Sequence, residues 1–296
     1  MKHNVHLLIV DPQNDFCDLP PLYRGINPIS PAGERLEPKL PVPGAHADMM
    51  RLAQFIRAHG SLLADITVTF DTHHHVGIER PAFWQMGDGG AVPPYTQVTA
   101  EDVRAGRYVP RDAARRERAL AYLDALEAQG RYALMIWPPH CEVGTWGHNV
   151  HADVGAAYNQ WEEERGHPVG KILKGLNPGT EHYSAVKAEV PDENDPSTGV
   201  NQGLLARLEH ADVVVIAGEA GSHCVRATTE HLLEYLRPQR PPAYVLLIDC
   251  MSPVENFEVQ YQDFLEDMRG CGVETMTAVA FAKSLRAHAQ AEPAGA

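Results

Sequence analysis

Short runs of apolar residues recur along the chain, and most of them end abruptly at a polar residue or a glycine. The first lies in "LLIVDPQNDFCDLP", where four apolar residues run directly into Asp11. An uninterrupted apolar run of this kind is typical of a strand that is buried on both faces of a parallel sheet. The same pattern predicts strands at residues 5–10, 63–70, 133–137, 169–173, 213–217, 245–248 and 275–280.

Segments with helical spacing separate most of these runs. Both "HADMMRLAQFIRAHG" and "RRERALAYLDALEAQG" place apolar residues on one face and end at a glycine, Gly60 and Gly130, which is a common helix terminator. Two further helices are predicted, one that begins near Cys224 and one that ends at Gly270. Strands that alternate with helices predict an α/β protein whose parallel sheet is covered by helices on both faces.

The composition narrows the class of partner. The chain has 25 basic and 39 acidic residues and a formal net charge of −14, which disfavours nucleic acid and anionic membranes. No run approaches the roughly 18 apolar residues of a membrane span, and the N-terminus lacks the features of a signal peptide. The five cysteines are scattered and contain no CxxC pair, which indicates free thiols in a reducing compartment. We therefore expect a cytoplasmic protein.

Two stretches, residues 18–44 and 85–112, interrupt the alternation of strands and helices. The first is rich in proline and glycine, and the second carries mixed turn signals. We expect neither to be large enough for a core of its own, so the sequence predicts a single domain over residues 1–296 with two inserted loops. Because long ordered loops are usually functional, we expect both to lie near a site.

Three polar residues stand where predicted strands end. Asp11 and Lys174 each follow an apolar run, and Cys224 opens a helix after the turn "GEAGS" and His223. The carboxyl ends of parallel strands form the ligand crevice of open α/β sheets, so these side chains would meet there. A helix N-terminus lowers the pKa of a thiol, and a thiol, a carboxylate and an ammonium form a nucleophilic set. The structural alternatives are a helix-capping aspartate, a lysine that extends to solvent and a cysteine that only packs.

A second group of polar residues has the character of a metal site. Asp71 and His73 follow the second run and point the same way if the strand continues, and His140 follows the run at residues 133–137. A carboxylate and imidazoles suit a borderline divalent metal ion. The alternative is a polar loop in a chain that contains 16 histidines.

Six stretches together make the chain recognisable. They are "VDPQNDFC", "LPVPGA", "DTH", "WPPHCEVGTWG", "KGLNPGTEHYSA" and "GEAGSHCVRATTEHL". In this order they resemble the nicotinamidase/pyrazinamidase group of cysteine hydrolases, within the isochorismatase-like superfamily. The resemblance implies a Rossmann-like, three-layer α/β/α domain with a central six-stranded parallel sheet.

The resemblance also implies a role for individual residues. The catalytic triad would be Asp11, Lys174 and Cys224. One divalent ion, zinc in the first place and manganese or iron as alternatives, would be bound by Asp71, His73 and His140, with Glu79 as the fourth ligand and His75 as the alternative to Glu79. The aromatic residues expected against the substrate ring are Phe16, Trp137 and Tyr183. The oxyanion hole would consist of the backbone N–H groups of Ala220 and Cys224, preceded by a cis peptide bond at Glu219–Ala220.

The activity that this resemblance implies is hydrolysis of nicotinamide to nicotinate and ammonia, a step of NAD salvage, by a homo-oligomer. The near alternative is a cysteine amidase of the same superfamily that acts on a different small amide. A third possibility is a ligand-binding protein without catalysis. The chain departs from the family at Glu219, where an apolar residue is usual, and in its two insertions. These departures bear on which amide is the substrate.

Overall fold

The computed structural model describes residues 4–236 and 241–291. Within these ranges the chain forms ten strands and eight α-helices. The strands are β1 (Val5–Val10), β2 (Asp65–Asp71), β3 (Trp84–Met86), β4 (Thr96–Val98), β5 (Tyr108–Pro110), β6 (Leu134–Ile136), β7 (Gly170–Lys174), β8 (Val213–Gly218), β9 (Ala243–Leu247) and β10 (Glu274–Met276). The helices are α1 (Ala45–His59), α2 (Ala100–Arg104), α3 (Arg116–Gln129), α4 (Ala152–Arg165), α5 (Gln202–Leu208), α6 (Cys224–Tyr235), α7 (Glu258–Gly270) and α8 (Ala278–Ala291).

Six strands form one parallel sheet in the order β10-β9-β8-β1-β2-β7. Every residue of the central strand β1 is buried, so both faces of the sheet are covered. Among the helices, α1 packs against both α4 and α8. The predicted α/β architecture with a six-stranded parallel sheet is confirmed. Among the described residues, no helix combines the length and the apolar character needed to span a membrane.

The strand register brings the carboxyl ends together. Val10 at the end of β1 pairs with Gly218 at the end of β8, and Asp71 at the end of β2 pairs with Lys174 at the end of β7. The residues that follow these strands therefore meet at one edge of the sheet, as predicted.

The four predicted helices are present as α1, α3, α6 and α7. Gly60 follows α1, and Gly130 closes α3 in a left-handed conformation with φ 66°, which glycine adopts without steric cost. α6 begins at Cys224, and α7 ends at Gly270, as the sequence indicates.

Two of the strand predictions differ from the structure. Residues 133–137 contain the strand β6, but it pairs antiparallel with β4 and does not join the main sheet. Residues 275–280 contain only the end of β10, because Ala278 already begins α8. The Thr277 hydroxyl accepts a hydrogen bond from the N–H of Ala280, and such a cap favours a helix start over a longer strand.

The two insertions have different structures. Residues 18–44 contain no α-helix and none of the ten strands, but a 3-10 turn at Pro21–Tyr23 and isolated β-bridges between Ile26 and Arg35 and between Val42 and Cys17. Residues 85–112, by contrast, contain β4, α2 and β5, and β5 pairs with β3. The apolar residues of this stretch join a second hydrophobic cluster that it shares with neighbouring elements. Val98 and Val103 of the insertion pack there with Trp84 of β3, Leu123 of α3 and Ile136 of β6.

Candidate active site

Asp11 is completely buried directly after β1. Its φ of 44° is uncommon for a residue other than glycine, and such backbone conformations cluster at functional sites. The hydroxyl of Thr69 on β2 donates a hydrogen bond to Oδ1 and accepts one from the Asp11 N–H at 3.1 Å. Burial raises the pKa of Asp11, although Lys174 lowers it. The carboxyl group is therefore held in one orientation and has an increased affinity for a proton.

Lys174 connects the polar groups at this edge of the sheet. Its Nζ lies 2.9 Å from Oδ2 of Asp11, 2.8 Å from Oδ1 of Asp71 and 3.6 Å from Sγ of Cys224. It also donates a hydrogen bond to the carbonyl oxygen of His182 at 3.1 Å. Burial lowers the pKa of Lys174, but the two carboxylates outweigh this effect and raise it well above its usual range. The side chain is a buried ammonium with two negative partners.

Cys224 is the first residue of α6 and is buried. The expectation that the helix N-terminus lowers the pKa of this thiol is wrong. Burial raises the pKa well above its usual range, Lys174 lowers it, and Asp11 raises it as a charge and as a hydrogen-bond partner. Desolvation of a thiolate is the largest of these effects, so the Cys224 thiol holds its proton more strongly than an exposed cysteine does.

Asp71, His73 and His140 form a buried group whose possible ligand atoms lie within 4.8 Å of one another. Oδ2 of Asp71 is 2.8 Å from Nε2 of His73 and 3.2 Å from Nε2 of His140. Burial and the nearby Arg80 lower the pKa of His140 to about 4, so its imidazole is in the neutral form that binds metals. Two imidazole nitrogens and a carboxylate oxygen that converge in this way fit zinc or a similar divalent ion.

The structural element that positions His140 differs from the predicted one. Because β6 is not part of the main sheet, His140 does not lie at the end of a neighbouring strand. The segment after it instead pairs with the segment after β2: the N–H of His73 donates to the carbonyl oxygen of Cys141 at 3.1 Å, and His73 forms a β-bridge with Glu142.

Glu79 has a different position from the predicted fourth ligand. Its Oε1 lies 3.3 Å from Nδ1 of His73, whereas the other ring nitrogen of His73 faces Asp71. Glu79 is thus behind the imidazole and orients it, as carboxylates commonly do for metal-binding histidines. The alternative ligand, His75, has an exposed side chain that contacts Glu142.

Sequence reasoning missed Arg80, which is fully buried behind the same group. Its Nε lies 3.0 Å from Oε1 of Glu79, and it donates to the carbonyl oxygens of Pro138 at 2.8 Å and His140 at 3.0 Å. Arg80 therefore holds the backbone of the His140 segment against the Glu79 segment. Its position directly after Glu79 was the only available signal.

A pocket of about 350 Å³, part of it open to solvent, lies over these groups. The three aromatic residues predicted to contact a substrate ring, Phe16, Trp137 and Tyr183, all line it. Nε1 of Trp137 donates a hydrogen bond to the hydroxyl of Tyr183 at 3.0 Å, which fixes both rings. The other residues that line the pocket are Leu40, Asp71, His73, His140, Glu181, Ala220, His223, Cys224 and Val254.

His223 is the part of this wall that sequence reasoning did not predict. Its ring centre lies 5.2 Å from that of Trp137 and 4.6 Å from that of Phe257, edge-on in both cases. Burial lowers its pKa to about 3, so the ring is neutral. One side of the pocket wall therefore consists of the packed rings of Trp137, Tyr183 and the neutral His223, which suits a planar aromatic ligand.

The loop between β8 and α6 forms the remaining side of the pocket through Ala220. The peptide bond between Glu219 and Ala220 is cis, as the resemblance implies. The N–H of Gly221 donates to the carbonyl oxygen of Ser252 at 2.8 Å, which ties this loop to the segment after β9. Cys224 lies at the first turn of α6, where backbone N–H groups lack partners within the helix.

Several solved structures share this architecture. The yeast nicotinamidase Pnc1p is 20% identical over 92% of this chain and 99% of its own, with a TM-score of 0.59. A nicotinamidase/pyrazinamidase from Acinetobacter baumanii is 18% identical over 94% of this chain and 98% of its own, also with a TM-score of 0.59. The chain has the nicotinamidase fold.

A pyrazinamidase from Pyrococcus horikoshii, solved in complex with zinc, is 20% identical over 93% of this chain and 99% of its own, with a TM-score of 0.52. No family model and no curated protein matches the sequence. At these identities the nicotinamidase fold is what the structural likeness establishes. The fold does not determine the reaction, which depends on the residues of the site.

Proposed function

We propose that this protein is a metal-containing cysteine amidase that hydrolyses nicotinamide to nicotinate and ammonia. The observation that carries the proposal is the position of Lys174 Nζ, 2.9 Å from Asp11 and 3.6 Å from Cys224, below a pocket walled by aromatic rings. A nucleophile, a base and a cation in contact are the parts that acyl transfer needs. The small aromatic pocket favours a planar ring that carries a carboxamide.

In the first half of the reaction, Asp11 takes the proton from Cys224, and Lys174 stabilises the negative charges on both side chains. The thiolate Sγ then attacks the carboxamide carbon. The N–H groups of Ala220 and Cys224 donate hydrogen bonds to the oxygen of the tetrahedral intermediate, and one such donor is typically worth ~2.7–4 kcal/mol. Asp11 returns its proton to the leaving nitrogen, so that the C–N bond breaks and ammonia departs.

In the second half, a water molecule hydrolyses the resulting thioester. Asp11, now ionised again, removes a proton from that water as it attacks the acyl carbon. The C–S bond breaks, the carboxylic acid product leaves, and the proton on Asp11 returns to Cys224. The raised pKa of Asp11 suits this double use, because the carboxyl group must both accept and donate a proton.

Asp71, His73 and His140 are the residues that would hold the metal ion. When bound, a divalent ion supplies a Lewis acid that orients a ring nitrogen or a water molecule. Asp71 joins the two groups, since its Oδ1 contacts Lys174 while its Oδ2 faces both histidines. We infer that Asp71 fixes the position of the triad relative to the metal site.

An ammonia-release assay tests the proposal. Nicotinamide, pyrazinamide, benzamide and propionamide would be compared with wild-type protein and the Cys224→Ala variant. We expect rapid release from the two heteroaromatic amides, slower release from benzamide, which lacks the ring nitrogen, and none with the variant. Release from propionamide alone would favour a different small amide, and no release from any amide would contradict amidase function. The homo-oligomeric state, the cytoplasmic location and the role in NAD salvage remain predictions.

A further inference from the structure

Glu219 is a completely buried carboxyl group in the loop that carries Ala220. Its backbone N–H donates to the carbonyl oxygen of Val10 at 2.8 Å, which places it beside the end of β1. Oε2 accepts a hydrogen bond from the N–H of Ser252 at 3.2 Å. Among the described residues, Oε1 is buried and receives no hydrogen bond from a donor. A buried oxygen in this state requires a proton of its own or an unusual partner.

The partner of Glu219 is the carboxyl group of Asp48 on α1, which is also buried. The two side chains are in hydrogen-bonding contact with each other. Oδ2 of Asp48 accepts from the Ser252 hydroxyl at 2.6 Å, and Oδ1 contacts the guanidinium of Arg51. Two carboxylates in contact cannot both be ionised, so one proton is held between them.

The surroundings of the pair favour retention of this proton. Besides Arg51, the titratable groups that face it are mostly acidic or neutral: Cys17 and Asp18 after β1, Asp249 and Cys250 after β9, and Tyr261 on α7. Burial raises the pKa of both Glu219 and Asp48, and the proximity of Asp48 raises that of Glu219 further. The pair thus retains its proton to a higher pH than an ordinary carboxyl group does.

Ser252 connects this pair to both sides of Ala220. Its N–H donates to Glu219, which precedes Ala220, and its carbonyl oxygen accepts from the N–H of Gly221, which follows. Its hydroxyl donates to Asp48 and so fixes the serine to α1. The geometry of the Ala220 N–H therefore depends on a network that contains the shared proton.

We propose that Glu219 is a positioning residue that holds the Ala220 N–H in the oxyanion hole through a proton shared with Asp48. This inference rests on the proposed amidase function. Release of the proton places two negative charges in contact inside the protein, and the loop must then move apart to admit water. The effect falls on the transition state, where the oxyanion forms, so kcat drops while KM changes little.

Two substitutions separate the shared proton from simple packing. In Glu219→Gln, the amide donates a hydrogen bond to the Asp48 carboxylate and replaces the shared proton with a group that does not titrate. We expect this variant to retain kcat within about threefold and to lose the descending limb that ionisation of the pair contributes to the pH profile. In Glu219→Leu the donor is lost, and we expect kcat to fall at least about 10-fold, within the ~10²–10³-fold cost of losing an oxyanion donor, at nearly constant KM.

Glu189→Gln is the matched control, because Glu189 is another buried glutamate but does not line the pocket or contact this loop. Its kcat profile should follow that of the wild type. A Glu219→Gln profile that coincides with the wild-type profile at every pH would overturn the inference, and so would full kcat in Glu219→Leu.

Two measurements do not require amide hydrolysis. The infrared difference spectrum between wild type and Glu219→Gln at neutral pH should contain a protonated-carboxyl band that belongs to wild type. Hydrogen exchange of the peptide spanning residues 218–223 should accelerate in Glu219→Leu and remain slow in Glu219→Gln. If the wild type hydrolyses no amide, the proposed function fails while these two results still decide the role of Glu219. An absent band or equal exchange in all three proteins would contradict it.

Discussion

The pocket has a floor and a rim that differ in how the chain builds them. The floor consists of Asp11, Asp71, Lys174 and Cys224, which stand at the carboxyl ends of strands or open a helix, and all four are buried. We call the two insertions, residues 18–44 and 85–112, the rim, of which only the first contributes a lining residue, Leu40. The floor is fixed by strand register, because a strand cannot shift by one residue without moving its side chains to the other face. Residues 18–44 have no such constraint, whereas β4 and β5 in residues 85–112 pair with β6 and β3.

The two insertions also differ from each other. Residues 18–44 remain irregular and contribute Leu40 directly to the pocket lining. Residues 85–112 fold over a second hydrophobic cluster and contribute none of the lining residues. Within this insertion, the ring centre of Tyr95 lies 6.1 Å from that of Trp137, which does line the pocket. We infer that chemistry belongs to the floor and that discrimination between amides belongs mainly to the first insertion.

The largest effect is expected from Cys224→Ala, which removes the nucleophile of the floor. We expect kcat to fall by at least about 10⁴-fold, as for other nucleophile deletions, with little change in the melting temperature. Steady-state ammonia release and thermal unfolding provide the measurement. Cys271→Ala is the control, because Cys271 is exposed and does not line the pocket. Wild-type activity in Cys224→Ala would eliminate the covalent mechanism.

Alkylation sharpens the same test. The exposed Cys271 would compete for the reagent, whereas Cys17, Cys141 and Cys250 are buried and do not line the pocket as Cys224 does. Labelling is therefore best done in the Cys271→Ala background. There we expect the reagent to select Cys224, because Asp11 can remove its proton. Loss of activity without modification of Cys224 would contradict this expectation.

The next largest effect is expected from His73→Ala in the metal group. Elemental analysis should find one divalent ion per chain in the wild type. Loss of a direct ligand should lower metal affinity by more than about 100-fold, since even indirect partners of metal ligands are typically worth 10–100-fold. His75→Ala is a close control, because His75 lies two residues away but is exposed and contacts Glu142. Active protein without metal, or equal affinity in the two variants, would argue against the site.

The floor was largely predictable from the sequence, because a buried strand appears there as a run of apolar residues and its end as a change to polar residues. Apolar runs followed by Asp11, Asp71 and Lys174 identify both the strands and the polar residues at their ends. The protonation state of Cys224 was not predictable, because it depends on desolvation by residues that are distant in sequence. A local rule about helix N-termini gave the wrong sign.

The supporting residues were harder to predict because no periodic pattern marks them. His140 depends on a β-bridge between two loops. β6 was predicted as a strand of the main sheet because a short apolar run does not show whether its partner is parallel or antiparallel. Glu79 was expected from the resemblance as a fourth ligand, and its contact with Nδ1 of His73 leaves no pattern in the sequence. Long-range contacts decide each of these cases, and a single sequence does not contain them explicitly.

The Glu79→Gln variant tests whether Glu79 binds the metal ion or only orients His73. We expect its effect on metal affinity to be smaller than that of His73→Ala. If Glu79 only orients His73, metal affinity should fall by about 10–100-fold, less than in His73→Ala. Metal titration of both variants under one buffer condition is the measurement. Glu142→Gln serves as the control, since Glu142 contacts the exposed His75. A loss in Glu79→Gln as large as that in His73→Ala would restore Glu79 to the ligand set.

The smallest effects are expected at the rim, where the two insertions can be compared directly. The triad and the oxyanion groups act only on the carboxamide, which every candidate substrate shares, so discrimination must come from groups that touch the rest of the molecule. A change of one methylene in an apolar wall is worth about 1–3 kcal/mol. Leu40→Ala should therefore shift the ratio of kcat/KM values by about 10-fold toward a bulkier aromatic amide. Tyr95→Ala should shift it less, because Tyr95 acts only through Trp137.

The first insertion has a competing use, which the same experiment can detect. It leaves Leu22, Ile26 and Ile29 exposed at 88%, 67% and 87%, and neighbouring exposed apolar side chains are also typical of a subunit interface. We would therefore shorten each insertion and measure the native mass together with the ratio of kcat/KM for nicotinamide and the bulkier amide. A changed ratio at constant mass supports a role in substrate choice. If the mass falls while the ratio stays fixed, the insertions serve assembly, and the division between a chemical floor and a selective rim is wrong.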